Sequence, residues 1–279
     1  MVSRHRLLHA AGEVGRYTLL IIFAFVFLAP FVWIAFWALK TEMEIGAAPF
    51  SPPINPHWDN LARTWTTGRY SRYLPNTLIY ATTISVGVCF FSCLAGYALA
   101  KIRFPGRQML FSFFLVGLMV PFFALMIPLF LLVRDFHILG TRWALIVPGI
   151  ALGLPFGIFL MRAFFLALPD ELVDAAKIDG CSEWSAFWRV MLPLAWPGLT
   201  TLVVFEFLGT WNMFVEPLVL VQRDELRPVG LAILFFQSRY NIDRGMVAAG
   251  VMMTILPVIL VYIALQRKFI EGITAGALK

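Results

Sequence analysis

The chain has 279 residues, 60% of them hydrophobic and only 14% charged, and its mean hydropathy of +0.82 lies far outside the range of water-soluble proteins. This excludes a separate soluble domain of any size. It also makes the excess of 22 basic over 16 acidic residues a matter of membrane topology and anionic lipid. A nucleic-acid partner is not expected, since no segment interleaves basic and aromatic residues. Cys89, Cys93 and Cys181 cannot form a disulfide framework, and Cys89 and Cys93, one turn apart in an apolar run, read as core residues rather than a metal pair.

Crossing the hydrocarbon layer as a helix takes roughly 20 apolar residues. Segments of that kind run from Tyr17 to Leu39, Leu74 to Ala100, Met109 to Val133, Trp143 to Met161, Gly198 to Gln222 and Met246 to Gln266. The expectation is an all-α membrane protein of six transmembrane helices forming a single transmembrane domain over residues 1–279. Arg4, Arg6 and Arg16 precede the first apolar run, and no small-residue cleavage site follows it, so it reads as a retained span. With Lys101, Arg103 and Arg107 after the second span and Arg267 and Lys268 after the sixth, these clusters predict cytoplasmic N- and C-termini. Lys40, Arg63, Arg69 and Arg72, and Arg223, Arg227, Arg239 and Arg244, lie on the opposite side and weaken the bias.

Between the first two spans, PFSPPINP from Pro49 to Pro56 demands irregular backbone. Trp58, Trp65, Tyr70 and Tyr73 in the same connection suit a membrane interface. Spans three and four carry Pro121, Pro128, Pro148 and Pro155 with Gly149, Gly153 and Gly157, which predicts kinks and close helix contacts.

The long polar passage Pro169 to Pro197, PDELVDAAKIDGCSEWSAFWRVMLPLAWP, reads as two short helices around a break. Glu171 to Ile178 are helix formers, Gly180 stands where a left-handed cap belongs, and Ser182 restarts the chain as an N-cap. Asp170, Glu171 and Asp174 favour the first helix start, and the small Ala175 and Ala176 allow close approach of another surface. Trp184, Phe187, Trp188 and Met191, at i, i+3, i+4 and i+7, predict one broad apolar face on the second helix.

Span five holds the most pointed polar chemistry, Glu206, Trp211, Asn212 and Glu216 in FEFLGTWNMFVEPLVLV. A carboxylate at that depth requires a partner, a water-filled path or a substrate. For Glu206 a bond to a neighbouring helix or to a partner subunit is preferred, with the path kept open. Asn212 beside the flat Trp211 ring suits sugar or polyol recognition, against interhelical packing as the alternative. The connection Arg223 to Gly245 is too long for a simple turn, and either reaches outward or caps the bundle.

The passage 169–197 resembles the coupling loop of ABC-importer permeases. Asp174, Ala175 and Ala176 stand for its Glu-Ala-Ala, Asp179 and Gly180 follow, and the exit runs through Leu192 and Pro193. Asp174 replaces the usual Glu, and Cys181 an Ala. GYALA with KIRFPGR, FLGTWN in span five, and the tail QRKFIEGITAGALK are similar to the carbohydrate-uptake, maltose-type branch of the same family, with Met213 where an acidic residue is common.

The resemblance implies a type I ABC importer permease fold with a cytoplasmic coupling helix between spans four and five, in the bacterial inner membrane. It implies ATPase coupling through Glu171, Asp174, Ala175, Ala176, Asp179 and Gly180, and a translocation path for a sugar or related polar solute along Glu206, Trp211, Asn212 and Glu216. Phe235, Phe236, Gln237 and Tyr240 would meet an extracytoplasmic substrate-binding protein. The implied partners are a second homologous permease, an ATPase dimer, that binding protein and membrane lipid.

The chain shows no GxxxxGK[S/T] loop and no zinc-type His pair, and His5, His9, His57 and His137 are scattered. No cofactor is expected in this chain, with ATP and Mg held by the partner ATPase, and the chain is expected not to be an enzyme. The alternatives are an ATPase-independent six-helix carrier or channel, and an intramembrane enzyme using Glu206, Glu216 and Asp170, whose spread over different depths argues against it.

Overall fold

The computed structural model describes residues 2–236 and 242–277, with side chains from 12 to 236 and from 242 to 263. The described residues form helices joined by loops, in two compact units. The larger unit comprises residues 70–232 and 256–279, the smaller residues 1–69 and 233–255.

Helices α4 (Tyr70–Lys101) and α7 (Trp143–Ala167) form the axis of the larger unit, and glycine lets them touch. A Cβ on Gly149 would lie 2.6 Å from Ile84, one on Gly153 2.7 Å from Val88, and one on Gly157 2.2 Å from the Ser92 hydroxyl. The contacts advance four residues at a time in the same direction on both helices, so the two run parallel and in register. Near the far end a Cβ on Gly96 would meet the backbone nitrogen of Arg162 at 2.9 Å.

Parallel neighbours require a return path, which α5 (Arg107–Met119) and α6 (Phe122–Asp135) supply as a pair bent by 102°. The single span expected over Met109 to Val133 is therefore two helices. Val120 is extended (φ −81°, ψ 119°) and Pro121 has no N–H to give, which together stop the helix.

Helix α11 (Trp196–Trp211) runs back against α4 and α7: a Cβ on Gly198 would strike the Phe164 ring at 2.4 Å, and Trp211 packs in one cluster with Ala81. The expected span Gly198 to Gln222 breaks after Trp211 and resumes as the short α12 (Val215–Leu220). Asn212 terminates α11 by turning its own amide back, Nδ2 donating to the Leu208 carbonyl at 2.8 Å.

Beyond α12, residues 224–229 are bound to the first turns of α4. The Tyr73 hydroxyl donates to Asp224 (2.5 Å), Asn76 Nδ2 to the carbonyls of Glu225 (2.7 Å) and Arg227 (3.1 Å), and the Tyr80 hydroxyl to that of Leu226 (2.9 Å). Val229 N–H donates to Thr77 Oγ1 at 2.7 Å, and Arg142 donates to Asn76 Oδ1 at 3.0 Å. Tyr70 and Tyr73, expected at the membrane interface, are instead buried, whereas Trp58 and Trp65 are exposed.

In the smaller unit, α1 (Val2–Ala38) ends on a tightly bonded loop. Trp33 and Trp37 both donate to the Pro49 carbonyl (2.7 and 2.8 Å). Lys40, read from sequence as a topology charge, is buried and donates to the Ala48 carbonyl (2.8 Å) and Ser51 Oγ (3.1 Å). Helix α2 (Glu42–Ala47) starts on a Thr41–Glu44 capping box, and α3 (Asp59–Thr67) follows the irregular proline stretch. Ile34, Trp37 and Ala38 of α1 pack with Ala248 and Ala249 near the start of α13 (Arg244–Ala277).

Among the described residues, four helices can cross a bilayer by length and composition, or six when each bent pair counts as one. The apolar side chains of α1 from Val14 to Val32 are largely exposed, a surface that hydrocarbon solvates and water does not.

Candidate functional site

At the Lys101 end of α4 and α7 lies the hairpin 169–195. Helix α8 (Glu171–Ile178) ends as the sequence predicts: Gly180 is left-handed (φ +82°), its N–H donates to the Lys177 carbonyl (3.0 Å), and Cys181 N–H donates to the Ala176 carbonyl (2.9 Å). That pair of bonds is a Schellman cap, and a side chain at Gly180 would be strained by backbone alone. Ser182 then caps α9 (Glu183–Ala186), accepting from Ser185 N–H at 3.2 Å.

The second helix departs from the expected apolar stripe. Residues Phe187–Met191 form a π turn, followed by α10 (Leu192–Leu194), and the wider turn rotates the stripe. Phe187 and Met191 are buried, with Ala186 and Ala195 joining them, but Trp184 and Trp188 face out, edge to face at 5.7 Å.

On α8, Val173 and Ala176 turn inward, while Glu171, Asp174, Ala175 and Ile178 are exposed at i, i+3, i+4 and i+7. Asp179 and Gly180 continue this outward surface. Ala176, expected to lie under an approaching surface, is therefore part of the hairpin's own packing. Ile178 was missed, although an apolar residue sharing a helical face with Glu171, Asp174 and Ala175 is a readable signal; it is 86% exposed.

The hairpin packs Val173, Phe187 and Met191 into one apolar cluster with Tyr97, Ala100, Met161 and Phe165, the Phe187 ring 5.1 Å from that of Tyr97, and polar contacts add to this attachment. The Lys101 ammonium is buried, with 4% of its side chain exposed, and donates to the Leu168 carbonyl at 2.6 Å and to the exposed Asp170 carboxylate. The hydrogen bond from Lys101 holds the Asp170 carboxyl below its usual pKa. The Tyr97 hydroxyl donates to Glu183 at 3.3 Å, and Lys177 pairs with the same carboxylate at 2.5 Å, which raises the lysine's pKa. From sequence, Lys101 read only as a basic turn.

Further along the unit a cavity of about 850 Å³ opens between α5, α6, α7, α11 and α12. Glu206, Thr210, Asn212 and Glu216 line it, among the rings of Phe122, Phe123, Phe156, Phe205 and Phe214. Glu206 sits against Gly153, where a Cβ would lie 2.8 Å from its Oε2. Glu206 makes no hydrogen bond or ion pair among the described residues, so the preferred bond to a neighbouring helix of this chain is not formed.

Asn212 reaches the cavity with its amide nitrogen already committed to Leu208. Trp211 does not line the cavity; it is buried and stacks on Phe207 with centroids 5.7 Å apart, among Leu74, Val258 and Val261. Of the residues assigned to a binding-protein contact, Phe235 is exposed with the Arg69 guanidinium 5.3 Å from its ring, and Phe236 is buried. Gln237 and Tyr240 lie outside the described residues, as do the side chains of the tail. No cluster of metal-ligating side chains occurs among the described residues.

The chain matches the family of binding-protein-dependent transport system inner membrane components over residues 90–269, and it belongs to that family. It is 34% identical over 265 residues to the diacetylchitobiose uptake system permease protein NgcG of Streptomyces coelicolor, covering 94% of this chain and 88% of the relative. Identity is 37% over 266 residues, 89% of this chain and 94% of the relative, with the arabinooligosaccharides transport system permease protein AraQ of Halalkalibacterium halodurans. The fold matches a chain in the crystal structure of a bacterial ABC transporter involved in the import of the acidic polysaccharide alginate, with a TM-score of 0.79 and 26% identity over 93% of this chain and 97% of that one. The protein is thus a multi-pass permease component of an ABC importer, a transport subunit and not an enzyme.

Proposed function

We propose that this permease crosses the inner membrane six times, counting each bent pair as one span, and presents the hairpin 169–195 to a partner ATPase in the cytoplasm. The single observation that carries this reading is the outward face of α8, where Glu171, Asp174, Ala175 and Ile178 make no packing demand of their own while Lys101 fixes the helix to the bundle. A short helix held at its root and bare on its outer face fits a docking lever. The parallel course of α4 and α7 supports the topology, since it brings Lys101 and Leu168 to one side and requires the α5 and α6 pair to cross between them.

In this reading ATP and Mg are bound by the ATPase dimer and none by this chain. Closure of that dimer moves α8, and the bundle alternates between inward and outward opening around the cavity at Glu206. A second permease completes the wall of the path, and an extracytoplasmic binding protein delivers the solute. Relatives named for diacetylchitobiose, arabinooligosaccharides and lactose support a saccharide as that solute.

The test is ATP hydrolysis and uptake by the complete reconstituted complex, with and without binding protein loaded from a saccharide panel, comparing wild type with Gly180→Val. Stimulation by one loaded binding protein, with uptake lost in the variant, is expected. Unchanged uptake in the variant removes the lever, and the absence of any associated ATPase returns the chain to the carrier or channel class.

A further inference from the structure

We propose that Arg103, Arg107 and Arg162 seat the phosphate of an anionic phospholipid at the Lys101 end of α4. The site goes beyond the transport reading and does not depend on which solute is carried. A basic excess attracts anionic lipid anywhere along a membrane face, but two of these side chains are held in one place. Arg162 Nε donates to the Leu99 carbonyl at 3.2 Å and its Nη2 to Gln108 Oε1 at 3.4 Å, while Arg107 Nη1 donates to the carbonyls of Ala100 and Ile102, each at 3.4 Å. The guanidinium carbon of Arg162 lies 4.0 Å from the centre of the Phe111 ring, a cation–π contact that fixes it further.

These bonds cap carbonyls at the end of α4, yet a guanidinium carries several N–H donors and each of the two keeps some to spare. Sharing one helix end also brings the two like charges close enough to repel. No carboxylate among the described residues pairs with Arg103, Arg107 or Arg162. Asp170 is within electrostatic reach of Arg103 and Arg107, but Lys101 holds it. Adjacent guanidinia with spare donors and no counter-ion fit an anion with several oxygens, and a phosphate answers both at once.

The surroundings select the source of that phosphate. Arg107 is the first residue of α5, and Met109, Leu110, Phe113 and Val116, which follow it, are exposed. In a multi-pass protein such a bare apolar flank is solvated by acyl chains, so the guanidinia at its start stand at the height of the headgroups. Ile102 and Phe104 are exposed in the same turn as the exposed Arg103. A free phosphate gains nothing from the flank. A phospholipid lays its phosphate on the arginines and its chains along α5.

The experiment uses the full permease complex in phosphatidylcholine vesicles carrying a stepped fraction of phosphatidylglycerol. The complex is extracted in mild detergent, and the lipid it retains is read by native mass spectrometry. Wild type should retain phosphatidylglycerol in preference to phosphatidylcholine, and the double variant Arg107→Gln, Arg162→Gln should lower that retention about tenfold. Arg103→Gln, whose side chain makes no bond among the described residues, should give a smaller loss, and it covers the case in which the double variant fails to assemble.

Equal retention of the two lipids by wild type, or retention unchanged in the variants that assemble, overturns the proposal. So does displacement of the lipid by millimolar inorganic phosphate, which marks a site for the free ion, and so does loss of the ATPase from the double variant with its lipid intact, which marks a contact with that subunit. Retention is read without uptake, so a negative result leaves the importer reading standing.

Discussion

The two ends of α4 are built on opposite plans. At the Tyr70 end, Tyr73, Asn76, Thr77 and Tyr80 bond to backbone or side-chain groups of residues 224–229, and Arg142 braces Asn76. At the Lys101 end, the hairpin packs Val173, Phe187 and Met191 into one apolar cluster with Tyr97, Met161 and Phe165 and adds only two polar ties to α4, the Lys101 ammonium and the Tyr97 hydroxyl, with α8 bare on its outer side. Dense bonding resists rearrangement and sparse bonding with an exposed face permits it. The first end reads as a clamp and the second as a handle.

Variants should therefore separate stability from coupling. The largest effect is expected from Gly180→Val, which forces a β-branched residue into φ +82° and breaks the Schellman cap. Uptake should fall to background while the complex still purifies and hydrolyses ATP, as read by paired uptake and phosphate-release assays. Next comes Asn76→Leu at the clamp, which strands the Glu225 and Arg227 carbonyls and should destabilise the permease by about 3 kcal/mol. Thermal unfolding in detergent would show it, and the ratio of uptake to ATP hydrolysis in the surviving complex should stay at the wild-type value.

Lys101→Met, at the root of the handle, should do the reverse. A several-fold drop in uptake per ATP is expected with a smaller fall in unfolding temperature than in Asn76→Leu, because the Asp170 carboxylate it abandons is already exposed to solvent and only the half-buried Leu168 carbonyl loses its donor. A large thermal loss without uncoupling would erase the distinction between the two ends.

The smallest effect concerns pH. The carboxyl of Asp170 titrates below its ordinary value because the folded state holds it charged against Lys101. A depressed carboxylate contributes fully above its unfolded pKa and loses that contribution as pH falls through the folded one. The latch should therefore be constant from pH 8 to pH 5 and weaken only below about pH 4. A coupling ratio that falls between pH 7 and pH 5 would mean that Asp170 is not what fixes the hairpin.

How much of this was legible depends on the range of the interaction. Local codes were readable: Gly180 and Ser182 take the cap positions that their chemistry dictates, and Gly149, Gly153 and Gly157 make the close contacts their spacing announces. Hydropathy located the long apolar segments but not their breaks, since a window that averages over Val120 and Pro121, or over Trp211 and Asn212, stays apolar while the backbone turns. Residues whose roles are set by distant partners were not readable. Lys101 could not announce Leu168 and Asp170, Lys40 could not announce Ala48, and the π turn that sends Trp184 and Trp188 outward leaves no signature in residue spacing.

The glycine-lined seam between α4 and α7 has a mechanical meaning. With 25 residues in α7 and a rise of about 1.5 Å each, the pair is a strut of about 37 Å whose members touch too closely to slide or swivel past one another. If the proposed lever acts at Leu168, a push there would meet no compliant layer before the clamp at Arg142 and Asn76, and the displacement would arrive at the far end of the strut nearly undiminished.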